Sequence, residues 1–80
     1  MYYVYVLQSN IDKNFYVGST SDLSKRLKSH NKGKVKSTKS RRPLELIYHE
    51  SLITKTIAIK REHFFKSGNG RKWLKDNVLS

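Results

Sequence analysis

Five side chains stand out for what they could do together: the phenols of Tyr5 and Tyr16, the guanidinium of Arg26, the imidazole of His30 and the carboxylate of Glu62. Two phenols, a permanent cation, a titratable ring and one acid form a set able to hydrolyse a phosphodiester with a single divalent metal. Arg26 stays charged at any working pH, and its planar fork can donate two hydrogen bonds to a phosphate. His30 follows it by four residues, so one helix face would carry both, and the imidazole could relay a proton or touch phosphate. Each group also has a plainer reading. Helical Arg and His are commonly solvated, and strand tyrosines commonly pack. Glu62 has Lys66 at i,i+4, a spacing that gives an ordinary surface pair worth only tenths of a kcal/mol.

The elements that must position these groups follow from the pattern of residues. Tyr2 to Gln8 and Asn14 to Gly18 read as strands, and the polar stretch Ser9-Asn10-Ile11-Asp12-Lys13 suits a hairpin loop that pairs them antiparallel. Alternation puts Tyr3, Tyr5 and Leu7 on one face and Tyr2, Val4 and Val6 on the other. Ser19-Thr20-Ser21-Asp22 supplies the cap of a helix from about Asp22 to Asn31, with Leu23 and Leu27 as its core stripe and Arg26 and His30 on the adjacent one. From Lys32 to Arg42 apolar periodicity vanishes, which predicts an exposed basic loop closed by Pro43. Leu44 to His49 is a third strand. Thr54 caps a second helix reaching about Ser67, with Gly68 as its stop, and a last helix from about Arg71 to Asn77 carries Trp73 and Leu74. On the second helix Glu62 falls three after Ile59 and three before Phe65, at the border of the apolar face. The expected fold is α/β (α+β), a small three-stranded antiparallel sheet flanked by helices. Its expected core is Val4, Val6, Leu23, Leu27, Ile47, Phe64 and Trp73, within one domain over residues 1–80.

Charge points to the partner. The net charge is +11 with a pI near 10.1, and nine of the seventeen cations fall between Lys25 and Arg42. Such density predicts a polyanion, nucleic acid first, with Lys34, Lys36, Lys39, Arg41 and Arg42 as backbone contacts and a second cationic group at Lys60, Lys66, Arg71 and Lys72. A membrane surface is disfavoured, because no long amphipathic helix accompanies the charge. There is no cysteine, which excludes disulfides and a thiolate zinc site. His49 and His63 have no ligand spacing, and the six acids are scattered rather than clustered as a two-metal nuclease needs. The chain opens on a strand-like run instead of a signal peptide and holds no stretch of transmembrane length, so a cytoplasmic location is expected.

Tyr3-Val4-Tyr5, Tyr16-Val17-Gly18, Arg26-x-x-x-His30 and Glu62 resemble the GIY-YIG endonuclease superfamily, specifically its small stand-alone bacterial members. The likeness runs from about Tyr2 to Trp73. In the first motif Tyr3 and Val4 stand where Gly and Ile would be, and the second reads Tyr-Val-Gly. The resemblance implies a metal-dependent endonuclease on DNA, in which Glu62 holds one Mg²⁺ or Mn²⁺ and Arg26 grips the scissile phosphate. It makes Tyr5 the candidate base and gives Tyr16 the orienting of water or phosphate. Arg26 and the cation are expected to lower the phenol's pKa from about 10 toward usefulness. The superfamily also carries a late Asn, for which Asn69 and Asn77 are both candidates, and the Gly68-Asn69-Gly70 turn could offer backbone amides to phosphate. The alternative is a nucleic-acid-binding module, on DNA or RNA, that keeps these residues without cutting. DNA is preferred over RNA, and a targeting partner protein or a homodimer would supply specificity.

Overall fold

The structure, a computed structural model, describes residues 1–79. Aromatic and β-branched residues dominate the first two strands, β1 at Tyr2–Ser9 and β2 at Phe15–Thr20, which pair antiparallel with Tyr5 opposite Gly18 and Leu7 opposite Tyr16. Their connection closes through Ser9 N to Asn14 O at 3.0 Å, with Lys13 in the left-handed region at φ 62°. A helix, α1 at Leu23–Asn31, follows, capped by the Asp22 side chain accepting from Lys25 N. β3 at Leu44–Leu52 then pairs antiparallel with β1, so the sheet order is β2-β1-β3 and both β2 and β3 are edges. Two helices complete the fold, α2 at Lys55–Lys66, capped by Thr54, and α3 at Gly68–Asn77. No helix among the described residues is long and apolar enough to cross a membrane.

Both faces of the sheet are covered, and the alternation of β1 decides what lies on each. Val4 and Val6 pack with Ala58 and Phe65 of α2 and Leu74 of α3, joined by Ile47, Phe64 and Trp73. Tyr5 and Leu7 point the other way, onto Leu44, Leu46 and the α1 stripe Leu23 and Leu27. The expected core residues thus fall into two separate clusters. Ile47 and Tyr48 reach the same cluster although adjacent, because the β1–β3 register slips between Val6 and Leu7. On the α2 side a half-buried brace ties helix to strand. Arg61 grips Glu50 through Nε at 2.7 Å and Nη2 at 2.9 Å, while its guanidinium lies 4.6 Å from the Phe65 ring centroid.

Three expectations change. The second strand runs on to Thr20 and the third to Leu52, since their polar ends still have partners in β1. Gly68 does not stop α2: Ser67 ends that helix, accepts from Gly70 N and so caps α3, which starts three residues earlier than Arg71. The Gly68-Asn69-Gly70 segment is therefore the first turn of a helix, with Gly70 N bonded to Ser67 Oγ. The loop from Lys32 to Arg42 is not merely exposed either. Thr38 within it is fully buried, a short 3₁₀ turn covers Lys39–Arg41, and Ser9 Oγ donates to Arg41 O at 2.6 Å.

Candidate active site

The candidate groups meet around β2, at the open edge of the sheet. Tyr5 lies across Gly18, and a Cβ at that glycine would run into the phenol's hydroxyl and ring. The last residue of the Tyr-Val-Gly triplet is thus the space in which Tyr5 lies. Arg26 and His30, one turn apart on α1, converge on the same oxygen: Arg26 Nε donates to it from 3.3 Å, and His30 Nε2 stands 3.0 Å away. Tyr16 closes the group, its ring centroid 5.0 Å from His30 and 6.5 Å from Tyr5.

His30 is fully buried and its second nitrogen, Nδ1, lies 2.8 Å from Thr38 Oγ1. The Thr38 hydroxyl donates to the Val35 carbonyl, which leaves its lone pair to accept from Nδ1–H. The hydrogen-bond network so assigns the tautomer: Nε2 is the acceptor and Tyr5 donates to it. Burial, helped by the nearby Arg26 charge, pushes the imidazole down to a pKa of about 4, so it is neutral at pH 7. Burial also raises the Tyr5 phenol above its usual value and outweighs the lowering pull of Arg26. Arg26 alone does not bring the expected downward shift, because desolvation of the phenolate costs more than one adjacent guanidinium returns.

Glu62 reaches the edge from the opposite face. Ser19 lies three after Tyr16 in β2, so the two side chains point apart, and Ser19 Oγ donates to Glu62 Oε1 at 2.6 Å. Lys66 Nζ donates to Oε2 at 2.7 Å, and the Glu62 side chain is 18% exposed. Burial works against its charge, but the bonds from Lys66 and Ser19 with the Lys66 and His63 charges prevail, and its pKa is lowered. The carboxylate is ionised and already holds one cation. Among the described residues no three of His, Cys, Asp and Glu gather around a metal-sized space. The donor set therefore suits a hard ion that takes one carboxylate and keeps its waters.

The remaining candidates divide. Lys34, Lys36 and Lys39 are exposed, whereas Arg41 and Arg42 are half-buried and tethered. Arg41 Nε lies 3.3 Å from Asp12, and Arg42 Nε donates to Lys39 O at 2.8 Å. Asn69 is exposed in the first turn of α3, and Asn77 turns its amide back onto Trp73 O at 2.9 Å. Two site neighbours escaped the sequence reading. Ser19 could have been found by extending the strand alternation to Thr20; Thr38 gives no signal in a polar, aperiodic stretch.

Comparison with known proteins identifies the family. The family model described as the GIY-YIG catalytic domain matches residues 1–75. A UPF0213 protein of Bacillus pumilus is 47% identical over 72 residues, covering 89% of this chain and 72% of that protein. A UPF0213 protein of Staphylococcus epidermidis is 41% identical over 75 residues, covering 92% and 90%. The solution NMR structure of a UPF0213 protein from Bacillus halodurans superposes with a TM-score of 0.58 at 32% identity, covering 95% of this chain and 84% of that one. The three-stranded sheet, the helices on both its faces and these matches place the chain in the GIY-YIG family of nuclease domains.

Proposed function

We propose that this chain is a divalent-metal-dependent endonuclease that hydrolyses DNA phosphodiester bonds with one metal ion, Mg²⁺ or Mn²⁺. The observation that carries this reading is the line of hydrogen bonds Arg26–Tyr5–His30–Thr38, which meets an ionised Glu62 at the same sheet edge. A phosphate gripped by Arg26 sits beside the Tyr5 oxygen, because guanidinium and phenol are already in contact. Water attacking that phosphate gives its proton to the Tyr5 oxygen while Tyr5 gives its own to His30 Nε2. Buried and neutral, His30 is ready as the acceptor, and its low pKa makes it a short-lived carrier of the proton. Tyr16 orients the water. Glu62 would hold the ion, which when bound offsets charge on a non-bridging phosphate oxygen and on the departing 3′ oxygen.

Nicking of supercoiled DNA tests this reading. Cutting is expected with Mg²⁺ and not with chelator. In Glu62→Gln it should fall by about a hundredfold or more, with DNA affinity kept or slightly raised. Wild-type rates in Glu62→Gln would remove Glu62 from the mechanism. One observation favours the second reading, a module that binds without cutting: the Lys66 ammonium holds Oε2 of the only candidate carboxylate. Under that reading supercoiled DNA stays whole in Mg²⁺, and competition between RNA and DNA at one salt concentration identifies what is bound.

A further inference from the structure

Three concavities on the α3 side of the sheet share two residues that the reaction does not use, Phe15 and Arg71. The first, about 290 Å³, continues to Tyr16 and Lys66 and so opens toward the candidate active site. The second, about 360 Å³, is bounded by Arg41, and the third, about 390 Å³, by Lys72 and Lys75. Among the described residues no carboxylate lines any of the three, although Asp12 pairs with Arg41 at their rim. Phe15 is half-buried at the start of edge strand β2, immediately before Tyr16. An aromatic ring bordering open space, ringed by cations on three sides, has the composition of a stacking platform for nucleic acid.

We propose that Phe15 and Arg71 seat an unpaired nucleotide, its base against the Phe15 ring and its phosphates against Arg71, Lys72 and Lys75. This rests on the nuclease reading above and narrows it to substrates with a single-stranded tail or flap next to the phosphate to be cut. A base inside a duplex has both faces covered by its neighbours and cannot offer one to Phe15; an unpaired base can. Phe15 packs in part against the core cluster beneath α2 and α3 and is left half-buried, so part of its ring stays open to a base. The concavity walled by both Phe15 and Tyr16 would let the nucleotide seated on Phe15 and a phosphate at the candidate active site belong to one strand.

Fluorescence anisotropy in chelator tests this without cleavage. The probes are a labelled duplex with a short tail of normal nucleotides, the same duplex with an abasic tail, and a blunt duplex, with deoxyribose and ribose tails run in parallel. The wild-type protein should bind the tail with bases about tenfold more tightly than the abasic one, ~1.4 kcal/mol for one stacked base. Phe15→Leu keeps the apolar volume and should reduce that ratio to about twofold or less, while Phe15→Tyr keeps it. Arg71→Gln, at an exposed helical position, should weaken both tailed duplexes and leave the blunt one nearly unchanged. Quenching of 2-aminopurine in the tail on binding to wild-type protein gives a readout independent of any variant. Equal affinity for base and abasic tails, or a ratio untouched in Phe15→Leu, overturns the proposal. A protein that nicks DNA yet ignores the bases refutes the seat alone; one that discriminates tails yet never cuts refutes the nuclease reading alone.

Discussion

Lys66 and His30 set the charge that the site presents. The Lys66 ammonium sits on the carboxylate proposed to take the metal, so the two cations compete for one oxygen. Lys66→Met should therefore tighten Mn²⁺ binding about fivefold, the ~1 kcal/mol of a partly exposed ion pair, as measured by titration of free Mn²⁺ by electron paramagnetic resonance. Unchanged Mn²⁺ affinity would show that the ion binds elsewhere. His30 predicts a pH dependence of stability. Its folded pKa of about 4 lies below the ordinary 6.5, so between these values the unfolded chain binds the extra proton. Stability is complete above pH 6.5 and falls as pH drops toward 4, by up to roughly 3 kcal/mol for a fully buried ring. Urea unfolding at pH 7 and pH 5, above most of the carboxylate range, should show that slope, and His30→Asn should flatten it. The spacing of Arg26 and His30 was readable in the sequence because one helix turn fixes it. That His30 is a buried bridge was not, because its partner Thr38 lies where no periodicity points inward.

Among the elements, the α2–α3 junction departs furthest from the sequence reading. Glycine after a helical run normally signals a stop, and Gly68 satisfies that pattern. What decides the outcome is Ser67, whose hydroxyl caps the next helix while its own N–H completes the last one, so no linker intervenes. The two glycines then differ in kind. A Cβ at Gly70 would strike the Phe64 carbonyl and the Phe65 Cα, backbone atoms of α2 that cannot yield, whereas one at Gly68 meets nothing within 4 Å. Gly70→Ala should accordingly cost at least about 2–3 kcal/mol by forcing the helices apart. Gly68→Ala should be neutral or stabilise by up to about 1 kcal/mol through reduced freedom of the unfolded chain. Thermal melts of both variants check the pair, and similar losses in the two would mean that α3 does not begin at Gly68. The strands were easier to read: period-two alternation in Tyr2 to Leu7 assigned each side chain to its face, and the structure keeps every one of those assignments. Their ends were not, since polar residues such as Ser19 and Thr20 join a strand only because β1 offers them partners.

At the scale of the whole molecule, a net charge of +11 on eighty residues suits the nucleic-acid substrate that a nuclease domain implies, and the structure divides its cations by how they are held. Arg61 serves the brace to Glu50, Arg41 is tethered to Asp12 and Arg42 to the Lys39 carbonyl, and Lys34, Lys36 and Lys39 remain exposed. Composition announced the partner class but could not make this division, because it depends on which carboxylates and carbonyls the fold brings near each cation. Counterion release makes the division measurable: each phosphate contact contributes about −0.9 to the slope of log affinity against log salt on duplex DNA. Replacing Lys34, Lys36 and Lys39 together by Gln should flatten that slope by up to about 2.7, the sum of three such contacts, and weaken binding to all sequences alike. The melting temperature should stay within a few degrees, since surface substitutions away from packed groups usually change stability by less than about 0.5 kcal/mol. Doing the same to Arg41 and Arg42 should lower the melting temperature, because their side chains anchor the loop that covers His30. A triple lysine variant with an unaltered salt slope would move the duplex-binding face to the α3 side, onto Arg71, Lys72 and Lys75.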